Sequence, residues 1–154
     1  MNLVIRELME NKILGLSVFS LLLAQFLKIF TYFIIFRDWK PSRAFGSGGM
    51  PSSHSSFVST LATSIGLVHG FDSSYFAIAA VGAAIVMYDA SGVRMAVGKQ
   101  AKVINEIQRL VSVIVSEEME VEDKLKELIG HTKLEVLVGG LLGILVASIG
   151  YMYF

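Results

Sequence analysis

Cysteine is absent from the 154-residue chain, which excludes disulfides and thiolate metal sites and leaves the redox compartment open. An excess of basic charge is missing too: thirteen Lys and Arg face thirteen Asp and Glu, so nothing points to a nucleic-acid partner. No internal repeat and no Pro/Gly-rich linker divides the chain, and residues 1–154 read as a single domain. A removable leader is not expected, because MNLVIRELMENK carries charges of both signs and lacks a small-residue cleavage site. Residues 1–12 read instead as an interfacial helix. Charge is scarce overall, at 17% of residues against 54% hydrophobic, too apolar for an ordinary soluble domain.

What is present is a set of long apolar runs. Residues 13–36 hold one charge, Lys28, and a run of that length spans a bilayer core. A charge at membrane depth faces a partner or a polar cavity, or else snorkels to the interface. Residues 53–70, 74–97 and 132–154 read as further membrane helices, the first of them short. The fold expected is therefore an all-α integral membrane helix bundle of about four segments. Residues 98–130 are different: Ile104, Ile107, Val111, Ile114, Val121, Leu125 and Leu128 recur at spacings near three and four among charged residues. This is a polar, amphipathic helical insert outside the bilayer. Its apolar stripe can pack on the bundle, lie on lipid or pair with a second copy in a homo-oligomer. The run EEMEVED reads as a solvated face or a turn within it.

Between the first two apolar runs lies GSGGMPSSHSS, Gly46–Ser56. Glycines let backbone N–H groups approach a ligand, Pro51 suits the first turn of a helix, and the first N–H groups of that helix are open to an anion. His54 lies within that turn. A glycine-rich turn followed by an incidental histidine would carry the same letters. If four segments cross, however, the 37–56 loop and the 94–132 insert emerge on one side. Arg43, His54, Arg94, His131 and Glu135 then share one face. Two histidines, arginines and a carboxylate at the mouth of a helix bundle suit phosphoryl transfer. His131 and Glu135 also have the spacing of two metal ligands, but no third ligand is near, so no metal and no cofactor is expected. His69, beside a glycine turn on the opposite face, reads as a solvated loop residue. Asp89 and Arg94, in YDASGVR, can pair, which would lower the cost of both charges.

PSSH at Pro51–His54 resembles the PSGH motif of the type 2 phosphatidic acid phosphatase superfamily, which also includes the vanadium haloperoxidases. GHTKLEVLVGGLLG resembles that superfamily's last motif, a histidine followed four residues later by an aspartate and then by a glycine-bearing helix. GGMPSSHSS together with YDASGVR, GKQA and GHTKLEV is closer still to the divergent bacterial and plant branch. The resemblance implies a membrane phosphatase acting on a lipid phosphate or pyrophosphate. In it His131 would be the nucleophile, Glu135 would stand for the family aspartate, and His54 would be the general acid. Ser52, Ser53 and nearby amides such as that of Gly49 would hold phosphate oxygens. The superfamily's first motif, a lysine with Arg-Pro after six residues, does not occur here, and Lys28 and Arg43 are candidates for its charges. Where the superfamily has Ser-Arg before the histidine, this chain has Lys124 and Leu125; Arg94 is the hypothesised substitute. A non-catalytic protein that binds or translocates a phosphorylated lipid is the alternative. Ten of the thirteen Lys and Arg fall in residues 37–43 and 94–133, so the positive-inside rule puts that side of a multi-pass cell-membrane protein in the cytoplasm.

Overall fold

The computed structural model describes residues 3–39, 48–115, 125, 127 and 129–153. These form six helices and, among the described residues, no strand: α1 Leu3–Glu10, α2 Lys12–Phe36, α3 Ser53–His69, α4 Ser74–Ser91, α5 Val93–Val115 and α6 Lys133–Tyr151. Local chemistry sets the helix ends. Asn11, Ser52, Ser73 and Thr132 each accept a hydrogen bond from a backbone N–H in the first turn that follows, satisfying a donor the helix itself leaves open. Thr132 and Glu135 form a reciprocal capping box. Gly70 ends α3 at a φ of 91°.

α3 is the centre. It packs against α2, α4 and α6, most extensively against α6. Between Ser53 and Leu67 only His54 is exposed. The interior is built from small and hydroxylated side chains: Ser17, Ser20, Ala24, Ser55, Ser56, Thr60, Ser64 and Ala147 have no exposed surface. The large apolar side chains point outward, among them Phe19, Leu22 and Phe26 of α2, Ile78, Val81 and Ile85 of α4, and Leu137, Leu141 and Leu145 of α6. Lipid is as apolar as leucine, so a membrane bundle gains little by hiding leucines and much by bringing backbones close. Several of the buried hydroxyls bridge helices or return to their own backbone, while that of Ser64 has no partner among the described residues. Ser20 and Ser56 share a bond of 2.6 Å, and Thr60 donates to the carbonyls of Ser56 at 2.8 Å and Gly143 at 3.1 Å.

Three helical stretches are long and apolar enough to cross a membrane: Lys12–Phe36, Ser74–Ser112, whose apolar part is α4, and Lys133–Tyr151. α3, the fourth expected segment, has 17 residues, short for a full span, and is the helix the others wrap. Two details differ from the sequence reading. Pro51 does not start α3; it precedes the helix, after a cis Met50–Pro51 bond, because the Ser52 hydroxyl can cap the helix and proline cannot. The stretch 74–97 is broken at Gly92, and α5 begins at Val93. The apolar stripe of α5 is left open, with Val97, Ile104, Ile107 and Val111 exposed and α4 the one helix it packs against among the described residues. The Asn105 side chain instead ties α5 to the backbone of Leu125. The EEMEVED run lies outside the described residues.

Close approach of α6 to α3 requires glycine. A Cβ on Gly139 would overlap the Ser52 carbonyl oxygen, and one on Gly143 the Ser56 carbonyl oxygen, whereas Gly15 and Gly82 have open space around them. Gly139→Ala and Gly143→Ala should each destabilise the protein by about 1–3 kcal/mol, read as a lower Tm in detergent. Gly15→Ala and Gly82→Ala, in open helix positions, should hold or raise it by up to ~1 kcal/mol.

Candidate functional site

Three helix ends meet where the bundle reaches its loop-bearing side. The Ser52 N–H donates to the Glu135 carbonyl at 3.0 Å, joining the start of α3 to the start of α6. The His131 N–H donates to the Ala90 carbonyl at 2.9 Å, joining the same point to the end of α4. Gly130 makes that junction possible: its φ is 90°, and a Cβ there would overlap the Met95 amide nitrogen. On the other side the Thr31 hydroxyl of α2 donates to the Met50 carbonyl, after two glycines of positive φ, Gly48 and Gly49. The first two pins use backbone groups that helix geometry leaves unpaired, the Ser52 N–H and the Ala90 carbonyl.

Around this junction is a cavity of about 420 Å³ whose wall includes Lys28, Ser53, His54, Asp89, Arg94 and His131. Two histidines distant in sequence therefore face one space. Lys28 is buried, 4% exposed, and its Nζ donates to Ser53 Oγ at 3.3 Å; it faces the cavity and does not snorkel. Arg94 Nε donates to Asp89 Oδ2 at 2.6 Å across the break at Gly92. Among the described residues no other bond is made by that guanidinium, so its Nη groups remain to meet an anion.

His131 is 6% exposed and its Nδ1 lies 3.1 Å from Glu135 Oε2. The same carboxylate oxygen accepts the Thr132 N–H at 2.9 Å. Glu135 is thus fixed by the capping box of α6, and it fixes the ring in turn. With the carboxylate on Nδ1, the favoured tautomer carries its proton there and leaves Nε2 unprotonated. Burial pushes the His131 imidazole below its ordinary value, the Lys28 ammonium pushes the same way, the hydrogen bond and charge of Glu135 oppose both, and nearby His54 adds a smaller lowering. The net direction favours a neutral ring at pH 7.

The residues expected from the sequence divide as follows. Lys28, Ser53, His54, Arg94 and His131 line the cavity, and Glu135 stands behind His131. Ser52 does not reach the cavity: it is fully buried and its hydroxyl caps α3, accepting from Ser55. Gly49 lies on the Glu135 side, lining neighbouring hollows. Arg43 lies outside the described residues. His69 is at the other end of the bundle, its ring 5.5 Å from that of Tyr75. Two polar cavity residues, Asp89 and Gln25, were not singled out as site residues. Asp89 was read only as an ion-pair partner of Arg94. Gln25 stands one helical turn before Lys28 on the same face of α2, and its Oε1 is buried without a partner among the described residues; that spacing was the available signal. Among the described residues no three His, Asp or Glu side chains gather as metal ligands.

Comparison with known proteins agrees with this architecture. The chain is 42% identical over 156 residues to YuiD, an uncharacterized membrane protein of Bacillus subtilis (strain 168), a match that covers 96% of this chain and 99% of that protein. No solved structure matches. The sequence profile of the divergent PAP2 family matches residues 9–146, which takes in α2, α3, α4, α5 and most of α6 with both histidines. This chain, an integral membrane protein of apolar helices around a serine-rich core, belongs to the divergent PAP2 family.

Proposed function

We propose that the protein is a membrane phosphatase that hydrolyses a lipid phosphate or pyrophosphate through a phosphohistidine. The observation that carries this reading is the shared cavity: His131, backed by Glu135, and His54 open onto one space with Lys28 and Arg94. In the first step the Nε2 lone pair of His131 forms the N–P bond while the P–O bond to the leaving group breaks. The electron pair goes to that oxygen, and His54 gives it a proton. In the second step water attacks the phosphohistidine, its proton passes to His54, and the N–P electrons return to His131. Phosphate is released and both rings regain their starting forms. Glu135 stabilises the positive ring of the intermediate. Lys28, the Nη groups of Arg94 and the open amides at the start of α3 offset the charge on the phosphoryl oxygens. We assign the site to the cytoplasmic side, since most Lys and Arg lie on it.

Purified protein should release phosphate from a lipid phosphate without added metal and be inhibited by vanadate, which mimics the five-coordinate transition state. His131→Ala should abolish turnover, and His54→Gln should lower kcat by roughly 100- to 10,000-fold. Arg94→Ala should weaken vanadate binding about 10- to 100-fold, the loss of one charged fork. Vanadate binding without turnover in the parent protein would favour instead a protein that binds or moves a phosphorylated lipid. Turnover that survives His131→Ala would defeat the phosphohistidine step.

Because burial and Lys28 hold His131 down, the nucleophile stays unprotonated to below pH ~6.5, and the acid limb of kcat/KM should lie below that value. Glu135 opposes the lowering, so Glu135→Gln should move the acid limb further toward acid while kcat falls roughly 100-fold or more. An acid limb displaced upward in that variant would contradict the assignment. A reporter fused to either terminus should be read outside the cell, and a cytoplasmic signal would reverse the orientation.

A further inference from the structure

Of the α5 side chains only Arg94 lines the cavity, yet the backbone that leads into His131 is held along this helix. The Leu125 N–H donates to Asn105 Oδ1 at 3.1 Å, and Asn105 Nδ2 donates to the Leu125 carbonyl at 2.9 Å. The same Nδ2 donates to Glu127 Oε1 at 2.9 Å. Two turns nearer the start of α5, Gly98 is buried, and a Cβ on it would overlap the carbonyl oxygens of Glu127 and Ile129. Gly130 then lies against the Met95 amide nitrogen, and the His131 N–H reaches the Ala90 carbonyl. The points of contact descend α5 as the chain approaches the histidine. One side-chain amide thus answers both backbone groups of Leu125, its N–H and its carbonyl. A carboxylate of the same length would set an acceptor against the Leu125 carbonyl and the Glu127 carboxylate.

Gly130, at a φ of 90°, has the freedom of a residue without a Cβ, so the placement of His131 depends on what holds the chain ahead of it. On the other side Glu135 holds the ring and the Thr132 N–H from the start of α6. The Asn105 bonds hold the near side. They are exposed, where a hydrogen bond exchanged with water adds little to stability. In-line attack is far less tolerant, since an error of about 1 Å in the attacking atom costs on the order of 100-fold in rate.

We propose that Asn105 is a positioning residue for the phosphoryl-transfer step: it holds Leu125 and Glu127 against α5 and so fixes where the His131 backbone stands and where its Nε2 is aimed. This rests on the phosphatase reading. Asn105 does not line the cavity, and its effect is on the reach of the attacking nitrogen. Binding of the phosphoryl oxygens by Lys28 and Arg94 does not pass through it. The polar insert between α4 and α6 is in this way part of the framework of the site.

The test measures lipid phosphate turnover, vanadate affinity and Tm for the full chain in detergent and for its variants. Asn105→Ala should lower kcat by about tenfold or more with KM within about twofold of the parent. It should weaken vanadate, which imitates the transition state, by a similar factor while inhibition by inorganic phosphate is unchanged. Tm should stay within about 4 °C of the parent. Asn105→Asp should lose as much kcat, and adding Glu127→Gln, which returns a donor to the pair, should recover about threefold or more. General loosening of the fold would not produce that recovery. Full turnover in Asn105→Ala overturns the positioning role and leaves the phosphatase standing. So does a loss confined to KM, a loss matched by a collapse of Tm, or a double variant that recovers nothing. A parent that hydrolyses no lipid phosphate removes the phosphatase reading and the positioning role with it.

Discussion

The contact between α3 and α6 is the constraint the rest of the molecule depends on. Gly139 and Gly143 let the α6 backbone lie against the carbonyls of Ser52 and Ser56, at a distance no side chain allows. In lipid this closeness is where helix association gains its energy, through dispersion contacts and interhelical bonds such as Thr60 to the Gly143 carbonyl. It also sets the register between the two helices. Since α3 begins at Ser53 and α6 at Lys133, that register brings His54 and His131 to the same height.

The same junction explains how ionised groups persist in so apolar a chain. The cations Lys28 and Arg94 stand within reach of the anions Glu135 and Asp89, so the site without substrate is close to charge-balanced. Negative charge brought into the cavity would meet two imidazoles and the unused edge of a guanidinium. Such charges are costly in a low-dielectric setting unless paired and hydrogen-bonded. Every one of them is tied to a helix end whose own backbone groups were already open, which concentrates the polar chemistry on one side of the bundle.

Much of this was readable from the letters. The long apolar run with a single Lys28, the His131–Glu135 spacing and the GGMPSSHSS stretch carry local information, and periodicity and composition make it visible. Other features were not readable for a definite reason. Whether Ser52 or Pro51 opens α3 depends on which side chain reaches the Ser55 N–H. The break at Gly92 depends on backbone angles at one residue within an otherwise continuous apolar stretch. Ser52 had the right chemistry for a phosphate ligand, and its burial as a cap follows from how α3 packs.

The sequence by itself determined the class of molecule, the helices and the chemical groups available, because these follow from short-range pattern and from the length of apolar runs. Only the tertiary structure decided which of those groups share a cavity. His54, Arg94 and His131 are joined by close packing between helices far apart in the chain, and no local pattern of residues records where such helices cross.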